Sequence, residues 1–166
     1  MGNPVASVGN FSHNVINIDH SLQYANGHAF VCEEHPEAKQ PSVKLNLCEV
    51  YKEKAKSAYR KFTLLNNYTI EVEDEVNLLD AGSKVSWVAG TKANVEVNGN
   101  KAHFMRNGKH FYMQIIAPAG AVFKTYPAKN TYKGEKTIEG ITMLEAECSF
   151  KETDGKVTIQ MSSKKF

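Results

Sequence analysis

Apolar and polar residues alternate with a period of two along most of this chain. In Tyr68–Val76, Tyr68, Ile70 and Val72 fall on one face and Thr69, Glu71 and Glu73 on the other. That is the pattern of an antiparallel strand with one face on a core and one on water. Val43, Leu45 and Leu47 alternate with Lys44 and Asn46, and Val157, Ile159 and Met161 with Thr158 and Gln160. Val85 and Trp87 flank Ser86, and Val95 and Val97 flank Glu96. Phe111–Ile116 is more continuously apolar and reads as a central strand. Asn98-Gly99, Asn107-Gly108 and Asp154-Gly155 each separate two such runs, and these residue pairs tolerate the positive φ of tight hairpin turns. Asn66-Asn67 turns the chain between Phe62–Leu65 and Tyr68. About a dozen short strands with frequent turns predict an all-β fold, an antiparallel two-sheet β-sandwich.

Two stretches depart from the pattern. Glu49–Lys61 is rich in helix formers, but Val50, Ala55, Ala58 and Tyr59 make no clean helical stripe. It reads as a solvated loop leading into a strand at Tyr59, with room for a short helix. Residues 127–140, rich in Lys, Thr and Gly, read as a second loop. No repeat or internal boundary appears, so residues 1–166 form one sandwich domain, with residues 1–11 a leader or appended stretch. A chain of 166 residues buries about two-thirds of its unfolded surface, enough to fold without staples.

Composition adds mostly exclusions. Lys and Arg total 20 against 18 Asp and Glu, a net charge of +2. That is too small to point to nucleic acid or to an anionic membrane surface. No apolar run nears the roughly 20 residues of a spanning helix. The first residues lack the basic and apolar regions of a secretory signal. The three cysteines, Cys32, Cys48 and Cys148, are widely spaced and odd in number, which describes buried free thiols rather than a disulfide framework.

Candidate chemistry is sparse. The six histidines include no pair at helical zinc spacing. His13 precedes the apolar Val15, Ile16 and Ile18, and imidazole is the commonest side-chain metal ligand near neutral pH. Asp19 either orients a histidine or ends the strand, and Asp19-His20-Ser21 also reads as a polar turn. His103 and His110 flank one predicted hairpin, which can bring them near each other, and they read as exposed strand-end residues. Glu33-Glu34 and Asp74-Glu75 lie in or at the ends of strand-like runs. No nucleophile elbow, phosphate loop or dinucleotide fingerprint is present.

The segment Phe11–Asp19, which reads Phe-Ser-His-Asn-Val-Ile-Asn-Ile-Asp and is followed by Gln23, resembles the His-Asn-(Thr/Val)-Val-x-(Val/Ile)-Asp segment of heparinase II/III-like polysaccharide lyases. Val43–Leu47, Tyr51, Tyr59–Phe62, Val72–Val76 and Trp87 follow in that family's order, so the resemblance runs from about residue 12 to 166. It implies the C-terminal β-sandwich, of super-sandwich type, of an enzyme whose N-terminal α/α toroid carries most of the proton-transfer residues. Such enzymes cleave uronic-acid-containing polysaccharide by β-elimination, in a periplasmic or secreted setting. The resemblance makes His13 a zinc ligand, with Asn14 and Asp19 supporting it. The upstream His-x-His pair and Asp that complete the zinc site in relatives are not in this chain, and His20-Ser21 replaces the Gly that follows the Asp.

The expectation is therefore a sandwich that is inactive alone, holds one corner of a zinc site, and belongs with an acidic polysaccharide and a missing toroid. The alternative is a stand-alone carbohydrate-binding or structural module, with Tyr112, Tyr126 and Tyr132 as weak sugar-stacking candidates. A sheet edge or face left uncovered by missing upstream strands also predicts a homodimer or poor solubility.

Overall fold

A computed structural model describes residues 13–128 and 139–166. The stretch 1–11, most of the 127–140 loop and Tyr132 lie outside these residues. In chain order the elements are β1 (Ile16–Ile18), β2 (Phe30–His35), β3 (Ser42–Asn46), α1 (Cys48–Tyr51), β4 (Ala55–Asn66), β5 (Thr69–Leu78), β6 (Lys84–Thr91), β7 (Asn94–Asn98), β8 (Lys101–Arg106), β9 (Lys109–Ala117), β10 (Phe123–Pro127), β11 (Thr142–Ser149) and β12 (Asp154–Ser162). They form two sheets. One has four strands in the order β1-β6-β11-β10, the other eight in the order β2-β3-β4-β5-β12-β9-β8-β7. Every pairing is antiparallel. The fold is the two-sheet sandwich that the alternation predicts. Among the described residues no helix is long and apolar enough to cross a membrane.

Period two decides what is buried between the sheets. In the four-stranded sheet Ile16 faces Trp87, Trp87 faces Ala146 and Ala146 faces Phe123, a row of inward side chains across all four strands. Ile18, Val85 and Cys148 form the next row. Ala58, Val76, Val157, Ile159, Ile115, Ala102 and Phe104 answer from the eight-stranded sheet. Phe111–Ile116 lies in β9, flanked by β12 and β8, the interior position its apolar run predicted.

The tight turns follow the side chains' tolerance of positive φ. Arg106 pairs with Lys109 across Asn107 and Gly108, whose φ values are 51° and 70°, as a type I′ turn requires. The β7–β8 turn is shifted by one residue from the sequence reading, because Asn98 pairs with Lys101 and leaves Gly99-Asn100 as the loop. Asp154-Gly155 is not a turn but the start of β12. Gly155 is there because the Phe150 ring occupies the space a Cβ would need.

Three other expectations change. Glu49–Lys61 is neither a loop nor a helix throughout. It is one helical turn at α1, and β4 begins at Ala55, four residues before Tyr59. Its strand character was hidden because an inward position, between the buried Ala58 and the half-buried Phe62, is taken by Arg60. On β5 Val72 is buried, but Ile70 is exposed, as is Tyr68 just before the strand. The smaller sheet covers only part of the larger one, so Ile70 and its partner Leu64 lie beyond its shelter. Of the cysteines only Cys148 is buried; Cys48 is half-buried and Cys32 is exposed at the β2 bulge.

Candidate functional site

The segment that carries the family resemblance is β1 and its flanks, at the edge of the four-stranded sheet. A strand of three residues makes few ladder bonds, and both ends are fastened by side chains. At the start, Asn14 Oδ1 accepts a hydrogen bond from the Gly90 amide at 3.0 Å, and the Val15 carbonyl accepts one from the Val88 amide at 3.0 Å. At the end, the Asp19 carboxylate accepts from the Lys84 amide and the Ser83 hydroxyl, each at 2.9 Å, and the Lys54 ammonium stands 3.7 Å away. The Asp19 amide donates to the Lys84 carbonyl at 2.8 Å. Asp19 and His20 both have φ near 51°. Glycine adopts that conformation at least cost, and here an Asp and a His take it instead. His13 is exposed at the outer end of this strand, immediately before Asn14. Asn14 and Asp19 therefore hold β1 against β6.

Partial burial pushes the Asp19 carboxyl up, but the bonds from Lys84 and Ser83 and the charge of Lys54 outweigh it and hold the carboxyl below its ordinary value. A carboxyl depressed by folding contributes stability above its unfolded value near 3.9, and that stability is lost as pH falls through the folded value. Below about pH 4, the urea midpoint of the native chain falls more steeply than that of Asp19→Asn. Parallel curves for the two proteins would refute the anchoring role.

Behind β1 lies a buried polar frame that the sequence did not reveal. Arg60 on β4 and Asp74 on β5 are opposite each other and both point into the sandwich. Arg60 Nε donates to Asp74 Oδ1 at 2.7 Å and Nη2 to Oδ2 at 2.8 Å. The remaining arm, Nη1, donates to the Asn14 carbonyl at 2.9 Å. The guanidinium thus ties the eight-stranded sheet to the residue beside His13.

Tyr51 makes a parallel link. Its hydroxyl donates to the Ile16 carbonyl at 2.8 Å and accepts from Gln23 Nε2 at 2.7 Å. Burial pushes the Tyr51 hydroxyl up to about 12. A group raised by folding stabilises below its unfolded value and loses that contribution as pH rises through the folded one. The chain therefore loses stability between about pH 10 and 12, and Tyr51→Phe flattens that slope in alkaline melts. At neutral pH the substitution costs about 1 kcal/mol for the lost hydrogen bonds.

A second cluster gathers on the outward face of β7, β8 and β9. His103 and His110 meet with Nε2 and Nδ1 2.8 Å apart. Glu96 Oε2 lies 3.7 Å from His103 Nδ1. The Tyr112 ring lies parallel to His103, with centroids 4.7 Å apart. The hairpin reading allowed the two histidines to lie near each other, and the diagonal contact follows from the Asn107-Gly108 register once β8 and β9 pair. Tyr112 is thus engaged with His103. Tyr126 on β10 is 38% exposed, and partial burial and the nearby Glu145 push its hydroxyl up.

The zinc that the resemblance implies needs about four ligands, of which at least three come from protein in an organised site. Among the described residues no group of three or more His, Cys, Asp or Glu side chains could hold a metal ion. Asp19 is committed to Lys84, Ser83 and Lys54. The described residues therefore contain no complete zinc site of that kind.

No family model and no curated protein matches the chain, but solved structures do. A heparinase III, the BT4657 gene product, superposes with a TM-score of 0.70 at 14% identity, over 90% of this chain and 23% of that one. Heparan sulfate lyase HepC from Pedobacter heparinus gives a TM-score of 0.72 at 12% identity, over 90% of this chain and 24% of that one. A further heparinase III gives 0.64 at 10% identity, over 89% and 22%. The chain spans about a quarter of the length of the lyases it matches. The twelve described strands thus build the β-sandwich fold that forms part of heparinase III and heparan sulfate lyase.

Proposed function

We propose that this chain is the C-terminal β-sandwich portion of a polysaccharide lyase that cleaves uronic-acid-containing polysaccharide by β-elimination, and that it is inactive by itself. The observation that carries this reading is the match of 90% of the chain to under a quarter of the heparinase III and heparan sulfate lyase chains. The remainder of such an enzyme supplies the α/α toroid and the proton-transfer residues. The role of the sandwich is to present the β1 segment to that domain. His13 then serves as one donor to a zinc whose other ligands lie outside the described residues, with Asn14 and Asp19 fixing its position. By the same reading the longer protein is periplasmic or secreted.

The edge strand β2 supports a further part of the reading. Phe30 and Val31 are 56% and 51% exposed on it, so the isolated chain self-associates there as a homodimer, and a monomer by light scattering at high concentration would count against this.

The test is an assay on heparan sulfate and alginate that reads the ultraviolet absorbance of unsaturated uronate. It compares this chain alone with a longer gene product that contains it. Turnover by the longer protein only is the expected result. Turnover by the isolated chain, or none by a folded longer protein on any uronate polymer, would overturn the proposal.

A further inference from the structure

The Glu96–His103–His110 cluster lies on different strands from β1 and plays no part in the lyase reading. Its backbone is well pinned. Tyr112 faces His103 and His110 faces Met105 in the β8–β9 ladder. His103 and His110 are therefore diagonal neighbours on one face, a relation that spans about 7–8 Å between strands and brings long side chains into contact. Glu96 faces His103 from the other side, on β7. Three adjacent strands thus line up a carboxylate and two imidazoles.

The ring geometry says what this line can hold. The His103 and His110 planes differ by 13°, their centroids are 5.1 Å apart, and the facing nitrogens are 2.8 Å apart. Rings with that N···N distance and that centroid separation lie edge to edge in nearly one plane, not face to face. One nitrogen donates and the other accepts, so both point at a common spot. Two imidazole nitrogens bound to one ion at about 2.0–2.1 Å stand roughly 3–3.4 Å apart. An ion replaces the shared proton when the nitrogens separate by well under about 1 Å and each ring tilts by roughly 35–40°, so that the two lone pairs converge on it from one side. Both rings are on strand surfaces, where χ rotation allows it.

The surroundings favour the exchange. Glu96 Oε2 stands 3.7 Å from His103 Nδ1, and a side-chain shift of about 1 Å brings it into hydrogen-bond reach, where it would hold the proton on Nδ1 and leave the Nε2 lone pair facing His110, as carboxylates behind metal-bound histidines do. Tyr112, parallel to the His103 ring within 4°, restrains that ring's plane. Lys101 lines the adjoining groove beside Glu96, His103 and Tyr112, so the carboxylate also offsets a neighbouring cation. No third donor among the described residues closes the site, which leaves the remaining coordination positions to water or to an exogenous anion.

We propose that His103 and His110 form an open two-histidine site for a divalent transition ion of the imidazole-binding class, with Glu96 as the outer carboxylate that orients His103. Affinity follows the order Cu2+ above Ni2+ and Zn2+.

Zn2+ alone is the probe, added to the chain labelled with 15N and read by histidine ring-nitrogen NMR. One equivalent shifts His103 Nε2 and His110 Nδ1 together. His110→Gln abolishes the shift at His103 and weakens binding at least about tenfold, with the amide spectrum showing that the fold is kept. Glu96→Gln keeps the stoichiometry and weakens binding by about threefold to tenfold, the low end for an outer carboxylate, since Glu96 is 72% exposed. His13→Gln leaves both ring shifts in place. Ring resonances of His103 and His110 that stay still with Zn2+, or that move independently of one another, would overturn the site. Unchanged affinity in Glu96→Gln would overturn the role of the carboxylate.

Discussion

Arg60→Ala lowers the unfolding free energy by about 3–5 kcal/mol, the usual loss when one partner of a buried ion pair is removed. Asp74 is 1% exposed and Arg60 9%, and the pair is bidentate at 2.7 and 2.8 Å. Removing the guanidinium leaves the carboxylate in the core without a counter-charge. Burial pushes the Asp74 carboxyl up and Arg60 pulls it back, so in the variant the group takes up a proton and the loss falls toward the lower end of the range. The third arm of Arg60 also leaves the Asn14 carbonyl. The damage therefore extends to β1, and amide exchange of residues 15–18 quickens beyond what the global loss explains. Replacing both partners together, Arg60→Met with Asp74→Leu, recovers much of the stability because no charge remains buried. Urea denaturation followed by tryptophan fluorescence measures each variant. A loss under about 1 kcal/mol for Arg60→Ala would mean the pair is solvated and not structural.

Trp87→Ala costs about 3–5 kcal/mol by cavity formation. Trp87 is 2% exposed at the middle of the four-stranded sheet, between Ile16 on β1 and Ala146 on β11. Both neighbours would face the void, and β1 is held by few other ladder bonds. Its indole Nε1 is buried and finds no hydrogen-bond partner among the described residues. Trp87→Phe removes that unpaired N–H along with part of the volume, so it costs clearly less than the alanine change. Trp87 is the sole tryptophan, so far-UV circular dichroism in guanidinium must follow these variants. Equal losses for Ala and Phe would show that the N–H, not the volume, decides the site.

These two positions show what was legible in the chain. Trp87 could be read as inward because Val85 and Trp87 alternate with Ser86, and it is inward. Arg60 and Asp74 could not be read as a pair: alternation carries Asp74 onto the face of Val72, but a charge there has no rationale until its partner strand is known. Only the β4–β5 register, which puts Arg60 opposite Asp74, gives each buried charge its counter-charge. The same limit concealed the start of β4. For Ile70 the reading failed for another reason: alternation tells which side of a sheet a residue takes, not how far the opposing sheet extends.

Asn14 and Asp19 mark the intermediate case. The resemblance singled them out from their place around β1. Their partners, Gly90, Lys84 and Ser83, lie more than sixty residues away and come from sheet pairing. The histidine pair is similar, since a turn of known type sets which residues oppose each other, but the ring contact depends on χ angles that no spacing encodes.

By itself the sequence determined the all-β class, most of the strands and the Asn107-Gly108 turn, because period-two burial and positive-φ tolerance are local properties of the chain. Strand order, the extent of each sheet, the buried Arg60–Asp74 pair and the meeting of Glu96, His103 and His110 were decided only in the tertiary structure. They depend on which distant strands lie side by side, and many pairings satisfy the same alternation.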